Sequence, residues 1–363
     1  MNERDRFVRC LQFKAVDRVP DMEMGVWPET LARWRREGLP WWVGNLFQLS
    51  DHLRMDKSFN CDWLPIHNEI YPEPETRIVE ERPDWVVTEN SLGMRARQGR
   101  TNASIPQYLR FPVEGPEDYD RLARFLDPGD AGRYRPDFDA DLLHRTGRGE
   151  LRGVSFSGLF GFPRSVMGLE NYCLALHDQP DLVRRLLDDR VHMARGLYPR
   201  ALAAHAIDFV QIWEDMSYKS GPLVSPSFME GHMVGRYRTI SHQFRSAGVP
   251  LVMMDSDGNV DRIAPLLEPS GIEGLYPCER AAGADPVSLR RAHPRLALMG
   301  GIDKRVVARG GAEEIREEFR RLRPVLREGG FIPFIDHFIP PDVSYPDFLL
   351  YLGIKREFLA NPA

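Results

Sequence analysis

A chain of 363 residues with 42% hydrophobic and 28% charged residues has ordinary globular composition and enough apolar content for a substantial core, which sets aside the disordered and membrane classes. Its net charge of -5 lacks the basic excess of a nucleic-acid binder, so no nucleic acid is expected as a partner. The charged start MNERDRFVRC, and the absence of any run near the ~18 apolar residues of a bilayer span, predict a cytoplasmic protein with no membrane partner.

The run VPDMEMGVW (19–27) and a weaker apolar segment over Cys61–Ile66 read as two early strands. Residues 67–135 then break the rhythm. DWVVTENSLGMRAR predicts a hairpin around Asn90-Ser91-Leu92-Gly93, and EGPEDYDRLARFL a short surface helix. The stretch is too poor in apolar residues to build its own core, so it is expected as an insertion within a single domain over 1–363.

From residue 150 one grammar repeats: a short β-branched or aromatic run, a polar knot, then a longer amphipathic stretch. The short runs are 151–158, 207–216, 249–257, 271–279, 296–303 and 331–338, each nearly continuous in apolar residues, as strands buried on both faces should be. Helices are predicted between them. Asp181–His205 carries Leu182, Leu186, Ala194, Leu197 and Leu202 near one face; Ser225-Pro226 is an N-cap with proline at the first helical position, and Gly248 closes the helix it opens. Six strand–helix units and the two early strands make eight, which predicts a (β/α)8 TIM barrel with an N-terminal hairpin and helix insertion.

Chemistry in such a barrel lies where strands end, and here those ends are acidic: Glu214 and Asp215, Asp255 and Asp257, Glu279, Asp303 with Lys304 and Arg305, and Asp336 with His337. Each has a plainer reading. The run MMDSDGN suits a turn, Glu214 a helix cap, and Asp303 a salt bridge to Lys304 or Arg305. Cys10, Cys61, Cys173 and Cys278 lack C-x-x-C or His/Cys ligand spacing, so neither a disulfide framework nor a thiolate zinc site is expected.

Converging carboxylates in a dry pocket must take up protons or a cation. Asp255-x-Asp257 with His337 would offer a divalent metal two oxygens and an imidazole, a set suited to zinc, manganese or iron(II), with Asp336 orienting the ring. Without a metal, His337 would act as general acid and Asp257 or Asp215 as base, and Glu214 and Asp303 complete the expected catalytic set. Trp27, Phe156, Phe160, Phe162, Trp213 and Tyr218 would wall the pocket, although aromatic residues more often simply pack in a core.

The stretches RFVRCLQFKAVDRVP, GLFGFPRSVMGLEN, IWEDMSYKSGPLVSPSFM, GGIDKR and GGFIPFIDHFIPPDVSYPDF together resemble the uroporphyrinogen decarboxylase superfamily of (β/α)8 barrels, which also contains corrinoid-linked methyltransferases. The resemblance implies that His337 stands at the histidine of the decarboxylase motif and at a zinc-binding cysteine of the methyltransferases, with Asp255 and Asp257 at their His-x-Cys pair. It also implies that Asp62 corresponds to the decarboxylases' pyrrole-binding aspartate; Arg164, within GLFGFPRSVMGLEN, joins it as an expected substrate-binding residue. The decarboxylases' N-terminal Arg-Gln-Ala-Gly-Arg-Tyr stretch is replaced here by VWPETLARWRREGLP.

Acid-rich strand ends would repel an octacarboxylate tetrapyrrole, and aspartates suit a thiolate-activating metal poorly. The leading expectation is a metal-assisted, methyltransferase-like enzyme acting on a small substrate with a corrinoid partner. The alternatives are a cofactor-free carboxy-lyase, and a non-catalytic barrel that binds a corrinoid or small acid; relatives suggest a homodimer.

Overall fold

The computed structural model of the chain describes residues 1–57, 59, 63–100 and 105–360. The expected hairpin is part of a four-stranded antiparallel sheet, β1 (Thr76–Glu81), β2 (Trp85–Asn90), β3 (Arg95–Gly99) and β4 (Gln107–Arg110), in that order. The surface helix follows at Pro116–Ala123, with Tyr119 and Leu122 buried. These side chains belong to a continuous buried cluster that runs from Phe7 to Leu359.

The six apolar runs become one parallel sheet: β5 (Gly153–Ser157), β6 (Phe209–Trp213), β9 (Leu251–Asp255), β10 (Gly274–Cys278), β11 (Ala297–Ile302) and β12 (Phe331–Ile335), in the order β12-β11-β10-β9-β6-β5. Between β6 and β9 a small hairpin, β7 (Ser217–Tyr218) with β8 (Gly221–Pro222), precedes the next helix. β9, β10, β11 and β12 are buried at every residue, which is why their sequences lack alternation. The expected helix Asp181–His205 is two: Pro180–Leu197 buries Leu182, Leu186, Ala194 and Leu197, and Leu202 is buried on a short helix Pro199–Ala203. Ser225 caps the helix after the β7–β8 hairpin by accepting from the Phe228 amide at 3.1 Å. That helix loosens into a π turn over Met229–Met233 before continuing as Val234–Ser246.

The two early stretches join this sheet differently. Among the described residues they make isolated parallel bridges, Val26 with Ile339 and Trp63 with Gly153, rather than a continued ladder. Pro20 and Pro65 have no N–H to give a ladder. At the seam with β12, a side chain does the work of a strand: Glu23 Oε2 accepts the Ile335 amide at 3.0 Å. The other oxygen of Glu23 accepts from Tyr351 (2.9 Å) and from Lys355 (2.7 Å), whose ammonium is wholly buried. Residues 19–26 are thereby clamped between β12 and the C-terminal helix Tyr345–Ala360.

The interior of the sheet is filled from its N-terminal end. Phe59 stacks edge-on to Tyr276 (5.0 Å) and Phe209 (5.7 Å), and Phe7 closes beneath at 5.5 Å from Phe209. Such pairs add about 0.5–1.5 kcal/mol each beyond the area they bury. The acidic strand ends lie at the opposite, C-terminal edge.

Candidate functional site

Alternation along β6 puts Phe209, Gln211 and Trp213 on the inner face, so Asp215 falls inward and Glu214 outward. Along β9 the same alternation carries Asp255, and then Asp257, inward. Trp213 and Asp255 are in register, and the Glu214 and Asp215 amides both donate to the Asp255 carbonyl, at 2.9 and 3.4 Å. Asp215 adopts a left-handed conformation (φ 47°), a strained turn for a non-glycine residue that aspartate tolerates better than most. The result is that carboxylate oxygens of Asp215, Asp255 and Asp257 all lie within 4.8 Å of one another.

Their protonation follows from this crowding. Burial, then the charges of Asp215 and Asp257, push Asp255 well above the ordinary carboxylate range, although Gln211 donates to its Oδ2. Burial and the Asp257 charge push Asp215 up to about 6, against the pull of Arg164, whose guanidinium lies 3.3 Å from its Oδ2. Arg164 also donates to the Asp215 carbonyl (3.0 Å) and sits over the Trp213 ring at 5.3 Å.

His337 reaches this group through Asp257, with Nε2 3.3 Å from Oδ2. Burial lowers the imidazole's proton affinity, but the hydrogen bond and charge of Asp257 outweigh it and raise its pKa above the ordinary histidine value. Trp27 stacks on the ring at 6.3 Å. The ring's partner is Asp257, whereas Asp336 turns away to accept the Lys304 and Ala281 amides at 3.3 and 3.4 Å. Lys304 also bonds Glu279 at 2.9 Å, and Glu279 accepts the Gly258 amide at 3.2 Å, so one ammonium braces the loop after Asp257 and the base of His337. Gly258 (φ 87°) lies so close to the β7–β8 hairpin that a Cβ would meet the Ser217 carbonyl at 2.5 Å.

Other expected site residues take structural places. Glu214 is wholly buried and accepts the amides of Leu159, Phe160 and Gly161 at 2.6–2.7 Å, together with the Tyr237 hydroxyl. It caps the helix Gly161–Met167; burial pushes its pKa up to about 7 against those donors. Gly158 leaves it room, since a Cβ there would lie 1.8 Å from Oε1. Asp303 caps the helix Lys304–Ala308 and pairs with Arg305 at 2.6 Å; burial would raise its pKa, but Arg305 holds it below the usual range.

Phe156 packs against Tyr198 (5.9 Å) and Phe244 (6.4 Å) on the helix side of β5. Phe160 and Phe162 are buried as well, against Tyr172 and Arg190. Tyr218 is 57% exposed on the β7–β8 hairpin. Asp62 lies outside the described residues. Two residues were not anticipated: Gln211, whose one trace was a polar residue inside the apolar run FVQIW, and Tyr276, which is in register with Asp255. A cleft of about 820 Å3 between Phe13, Pro250, Ile272 and His293 opens at the N-terminal edge of the sheet, away from the aspartates.

Carboxylate oxygens up to 4.8 Å apart match the span across a bound divalent ion, whose oxygen ligands lie at about 2.0–2.6 Å. The donor set therefore fits a metal. It equally fits stored protons, with Asp255 neutral.

No protein-family profile and no curated protein matches the chain. Among solved structures, a methyltransferase from Methanosarcina mazei superposes with a TM-score of 0.65 over 99% of both chains, at 17% identity. That is a likeness of fold, and it extends over nearly the whole chain. Among the described residues no helix is long and apolar enough to cross a membrane.

Proposed function

We propose that this chain is a methyltransferase-like enzyme with a (β/α)8 architecture, which moves a methyl group from an oxygen or nitrogen centre of a small substrate to a corrinoid-bearing partner. The observation that carries this reading is the convergence of Asp215, Asp255 and Asp257 beside His337 at the C-terminal edge of the sheet. The fold shared with a methyltransferase along both chains supports it.

Asp255 and Asp257 would hold a divalent metal, flanked by Asp215 and His337; zinc, manganese and iron(II) all suit a mixed oxygen and nitrogen set. The metal would supply positive charge that polarises the departing heteroatom. His337, whose proton affinity Asp257 raises, would place a proton on that atom as the carbon–heteroatom bond breaks and its electron pair stays behind. The methyl acceptor supplies the electron pair of the new bond. Trp27 and Trp213 would limit water at the pocket, and Arg164 would orient the substrate from the Asp215 side.

One observation favours a second reading. The His337–Asp257 pair is a ready proton donor, as a metal-free carboxy-lyase would need. Metal analysis of purified protein separates the two. A stoichiometric divalent ion that is lost in Asp257→Asn supports the first; a metal-free sample that turns over a carboxylate substrate supports the second. A chain that binds a corrinoid or a small acid without turnover, indifferent to His337→Ala, would refute both.

A further inference from the structure

Two buried oxygens beside Asp255 have no hydrogen-bond partner among the described residues. Gln211 is 4% exposed; its Nε2 donates to Asp255 Oδ2, and its Oε1 has no hydrogen-bond partner among the described residues. Tyr276, wholly buried and in register with Asp255 across the sheet, leaves its hydroxyl unpartnered too. A buried carbonyl left this way costs about 1–3 kcal/mol unless a ligand, ion or water takes it. Two such groups against a carboxylate that two neighbouring aspartates crowd mark a place built for an occupant.

The acceptors gathered there from the described residues are oxygens: the carboxylates of Asp215, Asp255 and Asp257, the Gln211 amide carbonyl and the Tyr276 phenol. His337 is committed differently, since its Nε2 is turned to Asp257 Oδ2 at 3.3 Å and its ring stacks on Trp27. Oxygen-only shells select hard divalent cations that keep some of their water, whereas imidazole and thiolate select zinc.

We propose that the pocket takes a hard divalent cation of the manganese or magnesium type in an all-oxygen shell of Asp215, Asp255, Asp257 and the Gln211 carbonyl, with the Tyr276 hydroxyl holding a water of that shell and His337 outside it. This rests on the metal-bearing reading above and sharpens it: the imidazole stays free to carry a proton, and the strand residue Gln211 becomes a ligand.

The test is Mn2+ titration of the chelator-stripped full chain, followed by electron paramagnetic resonance and calorimetry. Wild type should bind Mn2+ stoichiometrically. Gln211→Met should weaken binding by about tenfold or more, the scale at which lost metal-site partners are felt. Gln211→Glu, which restores an oxygen, should retain binding, and circular dichroism reports whether each variant is folded. His337→Ala, which removes only a hydrogen-bond partner of the ligand Asp257, should weaken Mn2+ binding by about 10–100-fold at most while saturating Mn2+ still binds stoichiometrically. Two results overturn the proposal and leave a metal centre standing: Gln211→Met binding as well as wild type, or Zn2+ binding that disappears in His337→Ala with no Mn2+ binding. Wild type that binds neither ion overturns the metal reading itself.

Discussion

Replacing Asp215 by asparagine should make the metal-free protein more stable, by an amount that grows with pH. The carboxyl of Asp215 is raised from its ordinary 3.8 to about 6, first by burial and then by Asp257. A raised acid means that the folded state resists ionisation, so the cost is absent below about pH 4 and complete above about pH 6. A shift of about two units corresponds to about 3 kcal/mol at pH 8. Asparagine removes that cost, is at ease with φ near 47°, and keeps the Arg164 bond to the main-chain carbonyl. The loss of the Arg164 ion pair is already inside that figure, because the value of about 6 is reached against the pull of Arg164. The gain is about 3 kcal/mol at pH 8 and about half of that at pH 5. Equilibrium urea denaturation of chelator-treated protein at the two pH values, with a shared m-value, measures it. Adding cation at about 1,000 times Kd should reverse the order, since the wild type then gains about 4.1 kcal/mol that the variant largely lacks. A variant less stable than wild type at pH 8, or a difference that ignores pH, would refute the like-charge account of this cluster.

Two further substitutions test the carboxylates that hold the fold. Glu214→Ala strips the acceptor from three buried amides at the start of the helix Gly161–Met167 and from the Tyr237 hydroxyl, and should cost about 3–6 kcal/mol, with Glu214→Gln in between. A loss under about 1 kcal/mol in the urea midpoint would contradict the capping role, given what one orphaned amide costs. Lys355→Met leaves Glu23 buried beside Tyr351 without its cation and should cost about 3–5 kcal/mol, whereas the double change with Glu23→Leu should recover most of it. Equal losses in the single and double variants, read from thermal unfolding, would mean that the pair is not coupled.

How far the sequence foretells this structure depends on what each residue's neighbours are. The six later strands are legible because burial on both faces leaves an unbroken apolar run, and Ser225-Pro226 announces its helix because capping is a local matter. The early strands are harder. Their seam with β12 is made by Glu23, Lys355 and Tyr351, partners more than 300 positions apart, and no local pattern encodes that. Glu214 and Asp215 are adjacent and chemically alike, yet one caps a helix and the other faces the pocket. Only the strand's two-residue period tells them apart, and that requires knowing where β6 ends. Phe156 fails for the same reason, since alternation along β5 turns it to the helices. The neighbourhood of Asp215, Asp255, Asp257 and His337 is legible through strand ends, but the contribution of Gln211 to it emerges only with register.

The buried acids also discriminate function from architecture. Among the described residues eight aspartates and glutamates are buried, and six of them have a cation at hand. Asp56 has Arg6 and Arg18, Asp208 has Arg4 and Arg152, Asp21 has Lys355 and Arg356, Glu23 has Lys355, Asp303 has Arg305, and Asp336 has Lys304 at 3.9 Å. Glu214 has four donors instead. Asp255 has one amide, and two more aspartates pressed against it. A fold that neutralises its interior so consistently elsewhere had no structural need to leave this carboxylate short, and an aspartate there costs stability that a leucine or asparagine would not. Strong perturbation at a strand end, without the compensation found at the other buried acids among the described residues, is what a site that takes a positive charge should look like.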